Sequence, residues 1–315
     1  MMKRIVNYKT FINESSGENN LTPEQIDFLN NYVKGKWKFN VGVVDIDGDF
    51  SCFDRGISDF KGIVFGRVTG HFDCSDNNLT SLEGCPKEVG GNFYCHYNNL
   101  TSLEGCPKEV GGHFYCHYNN LTSLEGCPKK VNGDFDCTDN NLTSLEFGPK
   151  EINGHFYCYD NSLTSLEFGP ERVNGDFDCS NNNLTSLEFG PKEVGGTFDC
   201  SRNNLSSLEG VPEKLNGVFY FSCNKLTSLE GAPKKLGSQF FCENNEGIST
   251  KTINLIFDKM ETSKSDYKTV LKSLWKEIPI EDKILLYTPD LDWVEEDEGS
   301  KLAKLKKYSN IKKMI

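Results

Sequence analysis

The sequence predicts a mainly β solenoid of about nine 21-residue coils, with a parallel sheet and small helical caps at both ends. Two observations carry this. Cys74, Cys95, Cys116, Cys137, Cys158, Cys179 and Cys200 recur every 21 residues, with Phe221 and Cys242 at the next two steps. The twelve residues CHYNNLTSLEGC also appear letter for letter at 95–106 and 116–127. A fixed period of about 20 residues is the mark of stacked repeats, each of which buries its apolar face against its neighbours.

Aligned on that step, nine coils begin at 52, 74, 95, 116, 137, 158, 179, 200 and 221, the first with 22 residues and the others with 21. The working pattern is G-x-F-x-C-x-x-N-x-L-T-S-L-E, then GCP or FGP, then K-x-V. Phe and Cys at i and i+2 share one face of a strand. Stacking therefore predicts an internal phenylalanine column (Phe72 to Phe240), a cysteine column, and two leucine columns that start at Leu79 and Leu82. Three positions after the cysteine runs an unbroken asparagine series from Asn77 to Asn245. A buried Asn can satisfy backbone groups of its own and neighbouring coils, which predicts an asparagine ladder. The segment CPKEVGG holds Pro and paired Gly, so the return leg is expected to be extended. The change from GCP to FGP at Phe147, Phe168 and Phe189 reads as packing variation.

The core F-x-C-x-x-N-x-L resembles the leucine-rich repeat signature L-x-L-x-x-N-x-L over residues 48–245, with Phe and Cys in place of two leucines. That resemblance implies a curved solenoid with its parallel strands on the concave side. The wider layout (LTPEQIDFL, WKFN, VDIDGDF, FKGIVFGRVTGHFDCS, then the NNLTSLEG array) is similar to uncharacterised leucine-rich repeat proteins of tailed bacteriophages. This similarity implies no activity of its own.

Composition narrows the function. The net charge is −12 and the pI is near 5.0, which argues against a nucleic-acid partner. No run approaches the roughly 20 apolar residues of a membrane span, and the first twenty residues contain no apolar secretory core. The expected setting is cytoplasmic, in an infected bacterial host if the phage resemblance holds. The thirteen cysteines are read as buried reduced thiols: parallel neighbours point their Cβ vectors the same way, which suits a disulfide poorly. The N-L-T triplets match a glycosylation sequon, but neighbouring coils leave no room for glycans. No Ser/His/Asp set, phosphate loop or zinc spacing stands out, so the chain is read as no enzyme and no cofactor is expected.

The outward strand columns vary, and they hold all five histidines and every tyrosine of the repeat region. Tyr and His combine an apolar body with a polar tip, the chemistry of a contact surface. The candidate partner-binding residues are therefore Tyr94, His96, Tyr97, His113, Tyr115, His117, Tyr118, His155, Tyr157 and Tyr159, with acidic neighbours Asp134, Asp136, Asp176, Asp178 and Asp199. They point to a non-catalytic module that binds a protein partner, expected to be a bacterial host defence or regulatory protein. A structural role in a virion and a metal- or small-ligand site are the alternatives. His96 and His117 sit on adjacent rungs, but His113 lies four strand residues from His117, about 13 Å, so a third metal ligand is lacking. DIDGD at 45–49 lacks the glycine and glutamate positions of a calcium loop and aligns with VNGDFDC, so it is read as the first strand.

The chain divides into an N-terminal tail and helical cap (1–47), the solenoid (48–247) and a helical C-terminal cap with a charged tail (248–315). Residues 1–20 are expected to be weakly ordered. Thr22-Pro23-Glu24-Gln25 predicts a capped helix with Ile26, Leu29 and Val33 on its apolar side and Gly35 as its stop, followed by a strand at 37–39. Tyr267, Val270, Leu271, Leu274, Trp275 and Ile278 fall at helical spacing before Pro279. The lysine-rich end could also touch an acidic partner or the solenoid itself.

Overall fold

The computed structural model describes residues 21–286, 291 and 293–312. The expectation for residues 1–20 and the extreme lysine-rich end lie outside the described residues, or outside the side chains described. The repeat folds as a parallel β-solenoid of about nine coils, capped by helices at both ends.

Two ladders run along it. In the first, the Phe-x pairs stack in register from Phe50–Ser51 through Phe72–Asp73, Phe93–Tyr94 and Phe114–Tyr115 to Phe240–Phe241. In the second, the pairs of the return leg do the same, with Val68 on Val89 and Glu88 on Glu109, continuing to Val194. The return leg is thus extended, as the Pro and Gly content predicts. A two-residue bend, Gly-Gly in three coils and Asn-Gly in four others, separates the two ladders.

The predicted columns form the core. Phe72, Phe93, Phe114, Phe135, Phe156, Phe177, Phe198 and Phe219 are buried, as are Leu79, Leu82 and their equivalents and the inward valines of the second ladder. Neighbouring rings stack: Phe93 and Phe114 have centroids 5.3 Å apart, Phe114 and Phe135 5.5 Å apart. The asparagine ladder is also formed. Asn98 Nδ2 donates to the carbonyls of Cys74, Cys95 and His96, and its Oδ1 accepts from Leu79 N at 2.9 Å. Each Asn therefore ties its own turn to the coil before it.

At the N-terminal end, α1 (Pro23–Tyr32) begins with the predicted capping box: Gln25 N donates to Thr22 Oγ1 and Thr22 N to Gln25 Oε1. Two details differ from expectation. The buried residues are Phe28 and Leu29, while Ile26 is exposed, because Phe28 must reach Phe50 to cover the open end of the phenylalanine column. Gly35 does not stop the helix. The chain passes straight into β1 (Val33–Asn40), which pairs antiparallel with β2 (Val43–Ser51). Gly35 faces Gly48 across this hairpin, and a Cβ on it would sit 2.3 Å from Asp47 O. DIDGD lies in β2, as the first strand of the array.

At the other end, α2 (Thr250–Ser263) lays Phe257 against Phe240, at 4.7 Å, and Phe221, at 5.6 Å. The helix predicted from 265 appears as α3 (Tyr267–Leu274), with Asp266 as its N-cap and Val270, Leu271 and Leu274 buried. Two further helices follow, α4 (Ile280–Leu286) and α5 (Glu296–Lys312). Buried Asp282 in α4 accepts from Ser249 N, Ser249 Oγ and Thr252 Oγ1, which pins α4 to the start of α2.

The FGP corner is more than packing variation. Phe147, Phe168 and Phe189 occupy the left-handed position that Gly84, Gly105, Gly126, Gly210 and Gly231 fill in other coils. The rings emerge half-exposed, while the glycine that follows takes the site of the buried cysteine.

Candidate functional site

The variable columns fall into three structural kinds. The first, three residues before the cysteine, is a second hydrogen-bonding ladder. Asp49 Oδ1 accepts from His71 N, His71 Nδ1 from Asn92 N, Asn92 Oδ1 from His113 N and His113 Nδ1 from Asp134 N. Asp134 Oδ1, His155 Nδ1 and Asp176 Oδ1 continue it to Thr197. His, Asn and Asp are interchangeable here because each places an acceptor atom at the same reach. The glycine before each rung makes this possible. A Cβ on Gly112 would lie 2.0 Å from Asn92 Oδ1, and one on Gly133 would lie 2.8 Å from His113 Nδ1. His113, Asp134, His155 and Asp176 thus hold coils together as well as facing outward. His113 Nδ1 and His155 Nδ1 also lie 3.0 and 3.1 Å from the carboxylates of Asp134 and Asp176.

The second kind is the acidic rung. Asp136, Asp178 and Asp199 stand before their cysteines, and each accepts the amide two residues on, from Thr138, Ser180 and Ser201. Burial pushes the Asp178 carboxyl up to about 6, and the Asp199 charge adds to it. Burial raises Asp199 as well. These two rungs therefore crowd like charges on a partly desolvated face.

The third kind is aromatic. Around the two copies of CHYNNLTSLEGC, Tyr94, His96, Tyr97, Tyr115, His117 and Tyr118 form one continuous group. His96 and His117 stack with centroids 4.4 Å apart, and Tyr97 and Tyr118 stack at the same distance. Tyr94 and Tyr115 lie 5.3 Å apart, and Tyr115 Oη donates to Asp134 Oδ2 at 3.3 Å. Tyr157 and Tyr159 sit beyond the acidic Asp136 coil, with His155 stacked on Tyr157 at 5.5 Å. The aromatic residues thus form two blocks separated by an acidic rung.

Burial holds His96 down at about 4, assisted by the His117 charge. Because the folded-state pKa lies below that of an unfolded histidine, the stability tied to neutral His96 is complete above about pH 6.5 and is lost as pH falls toward 4. Allowing for solvent screening of this partly open site, the loss by pH 5 is about 1 kcal/mol. Urea midpoints at pH 7 and pH 5 should show it, and His96→Ser should remove that part of the acid sensitivity. An equal drop in the variant would refute the assignment.

Tyr97 and Tyr118 stand out on backbone grounds. Every coil places the residue before the ladder asparagine in the left-handed region: Asp76, Asp139, Asp160, Asn181 and Asn244 there are residues that tolerate it, whereas Tyr97 (φ 51°) and Tyr118 (φ 50°), like Arg202 and Cys223 further along, are not. Both are 45% exposed. They line an open groove of about 650 Å³ with Asn99, Asn120, Asp139 and Asp160. The Asp139 carboxylate pushes the Tyr118 hydroxyl up to about 12.

None of the thirteen cysteines is in a disulfide, and all but Cys223 are buried. Burial raises Cys95, Cys116, Cys137, Cys158, Cys179 and Cys200 well above the ordinary thiol range. These are protonated packing groups, not nucleophiles. His96 and His117 are stacked face to face rather than converging on a common point. Among the described residues no group of three or more His, Cys, Asp or Glu is placed to hold a metal ion. Also among them, no helix is long and apolar enough to cross a membrane. Comparison with protein-family models, with curated proteins and with solved structures finds no match to this chain.

Proposed function

We propose that the protein is a non-catalytic interaction module that binds a protein partner through the outward Tyr/His/Asp face of its phenylalanine-strand ladder. The observation that carries this reading is the pair Tyr97 and Tyr118: two large aromatic residues, exposed and stacked, at backbone angles where most sister coils use Asp or Asn. Folding alone disfavours them there, and such local strain is commonly kept for binding. Tyrosine is also a preferred anchor at the centre of protein interfaces. The neighbouring acidic rungs give the face a charge that would select its partner.

The repeat signature and the N-terminal layout, similar to leucine-rich repeat proteins of tailed bacteriophages, support a finer reading. The partner is a host protein, met in the cytoplasm of an infected bacterium. The test uses tagged protein and bacterial lysate, with wild type beside Tyr97→Asn/Tyr118→Asn. Those substitutions install a residue that the same position carries at Asn181 and Asn244, so the fold should hold. A specific partner should lose at least tenfold in affinity for the variant. Equal retention by both proteins would sink the strand-face reading.

A further inference from the structure

A second surface lies on the other side of the coil and does not depend on that reading. Phe147, Phe168 and Phe189 form a row on three consecutive coils, 41%, 47% and 59% exposed. All three have φ of 67–68°, a region that L side chains other than Asn and Asp rarely enter. Five other coils keep glycine at this corner. Neither burial nor backbone preference explains three phenylalanines in succession, and contiguous exposed apolar rows mark interaction sites.

The flanks of the row carry opposite charges. Each of these coils reads Glu, Phe, Gly, Pro and then Lys or Glu, so exposed Glu146, Glu167 and Glu188 lie before the rings in chain order. On the other side, Lys129 Nζ sits 5.6 Å over the Phe147 ring and Lys150 Nζ 5.7 Å over the Phe168 ring. Lys129 Nζ also donates to Phe147 O at 3.1 Å, and Lys150 Nζ donates to Phe168 O. The patch is therefore a glutamate column, an apolar row and a lysine pair, all repeating at the pitch of the coil.

We propose that this row is the centre of a dimer interface with a second copy of the same chain, the two solenoids lying side by side and parallel. A two-fold axis along the solenoid sets Phe147, Phe168 and Phe189 on their own counterparts at matching pitch. It also brings Glu146 and Glu167 of each copy opposite Lys129 and Lys150 of the other. An axis across the solenoid would set glutamate against glutamate, so the charge order selects the parallel arrangement. The rings expose roughly 300 Å² of apolar surface per copy, about half of a phenylalanine's 150–250 Å² each. A standard interface needs about 800 Å² per partner, so the charged columns must supply the rest. Association is expected on the order of micromolar.

Sedimentation velocity across a concentration series tests this with the full chain. Wild type should shift from monomer to dimer. Phe147→Gly/Phe168→Gly/Phe189→Gly restores the residue of the sister coils and should stay monomeric without losing thermal stability. Lys129→Glu/Lys150→Glu should weaken the dimer at least tenfold, and adding Glu146→Lys/Glu167→Lys should restore it. Wild type that stays monomeric at several hundred micromolar would overturn the proposal and leave the row to a foreign partner. A dimer that persists in the glycine variant would overturn it as well.

Discussion

Replacing Phe114 with alanine should destabilise the protein by about 3–5 kcal/mol. The ring is wholly buried between Phe93 and Phe135, with centroids 5.3 and 5.5 Å away, so its removal opens a cavity that strand neighbours cannot fill. The ladder amides on both sides fix the spacing of the coils: Phe93 N donates to His113 O at 2.8 Å and Phe114 N to Asp134 O at 2.8 Å. Collapse into the cavity would have to break these bonds. Because each coil couples only to its neighbours, the lesion in mid-array should also loosen cooperation between the two halves. Urea unfolding followed by far-UV circular dichroism measures both effects. A loss under about 1 kcal/mol would mean that the column is not the packed core described.

Replacing Asn119 with alanine should cost roughly 3–4 kcal/mol, since several buried polar groups lose their partner at once. Asn119 Nδ2 donates to the carbonyls of Cys95, Cys116 and His117, and its Oδ1 accepts from Leu100 N at 2.9 Å. Asn119→Asp is the sharper variant. It keeps the size and the acceptor but points a carboxylate at three carbonyl oxygens, so at pH 7 it should be worse than alanine. Protonating the introduced carboxyl should narrow that gap as the pH is lowered. The same urea experiment, run on both variants at pH 7 and pH 4.5, checks the order. If Asn119→Asp proved the milder change at pH 7, the donor role of the ladder would be refuted.

Both sites were legible in the sequence because the coil demands the same atom at each step. A stacked array repeats any group that bonds or packs against its own equivalent, so Phe, Cys, Leu and Asn appear at a strict period. The acceptor column was harder to see. His71, Asn92, His113, Asp134 and His155 look like variation by residue type, and nothing local to His113 or His155 marks them as rungs of a ladder. Their common property is one acceptor atom at equal reach, beside a glycine that leaves room for it. The glycine column was the available signal. Gly35 misled for a related reason: its value is close approach to Gly48 across a hairpin, and a pairing between residues 13 apart leaves no local mark on the sequence.

The sequence by itself determined the period, the internal columns, the asparagine ladder and the face on which Tyr, His and Asp collect. These follow from stacking identical units, which is a one-dimensional problem. Only the tertiary structure decided how that face is divided: stacked rings in two coils, capped carboxylates in others, and a ladder of shared acceptors along one edge. It also decided that Tyr97, Tyr118 and the three corner phenylalanines stand at left-handed backbone angles and face solvent. Backbone angle and exposure at a corner depend on how the chain turns between its two ladders. That turn is set by amides and side chains of the adjacent coils, about 21 residues away along the chain, and not by the residues at the corner.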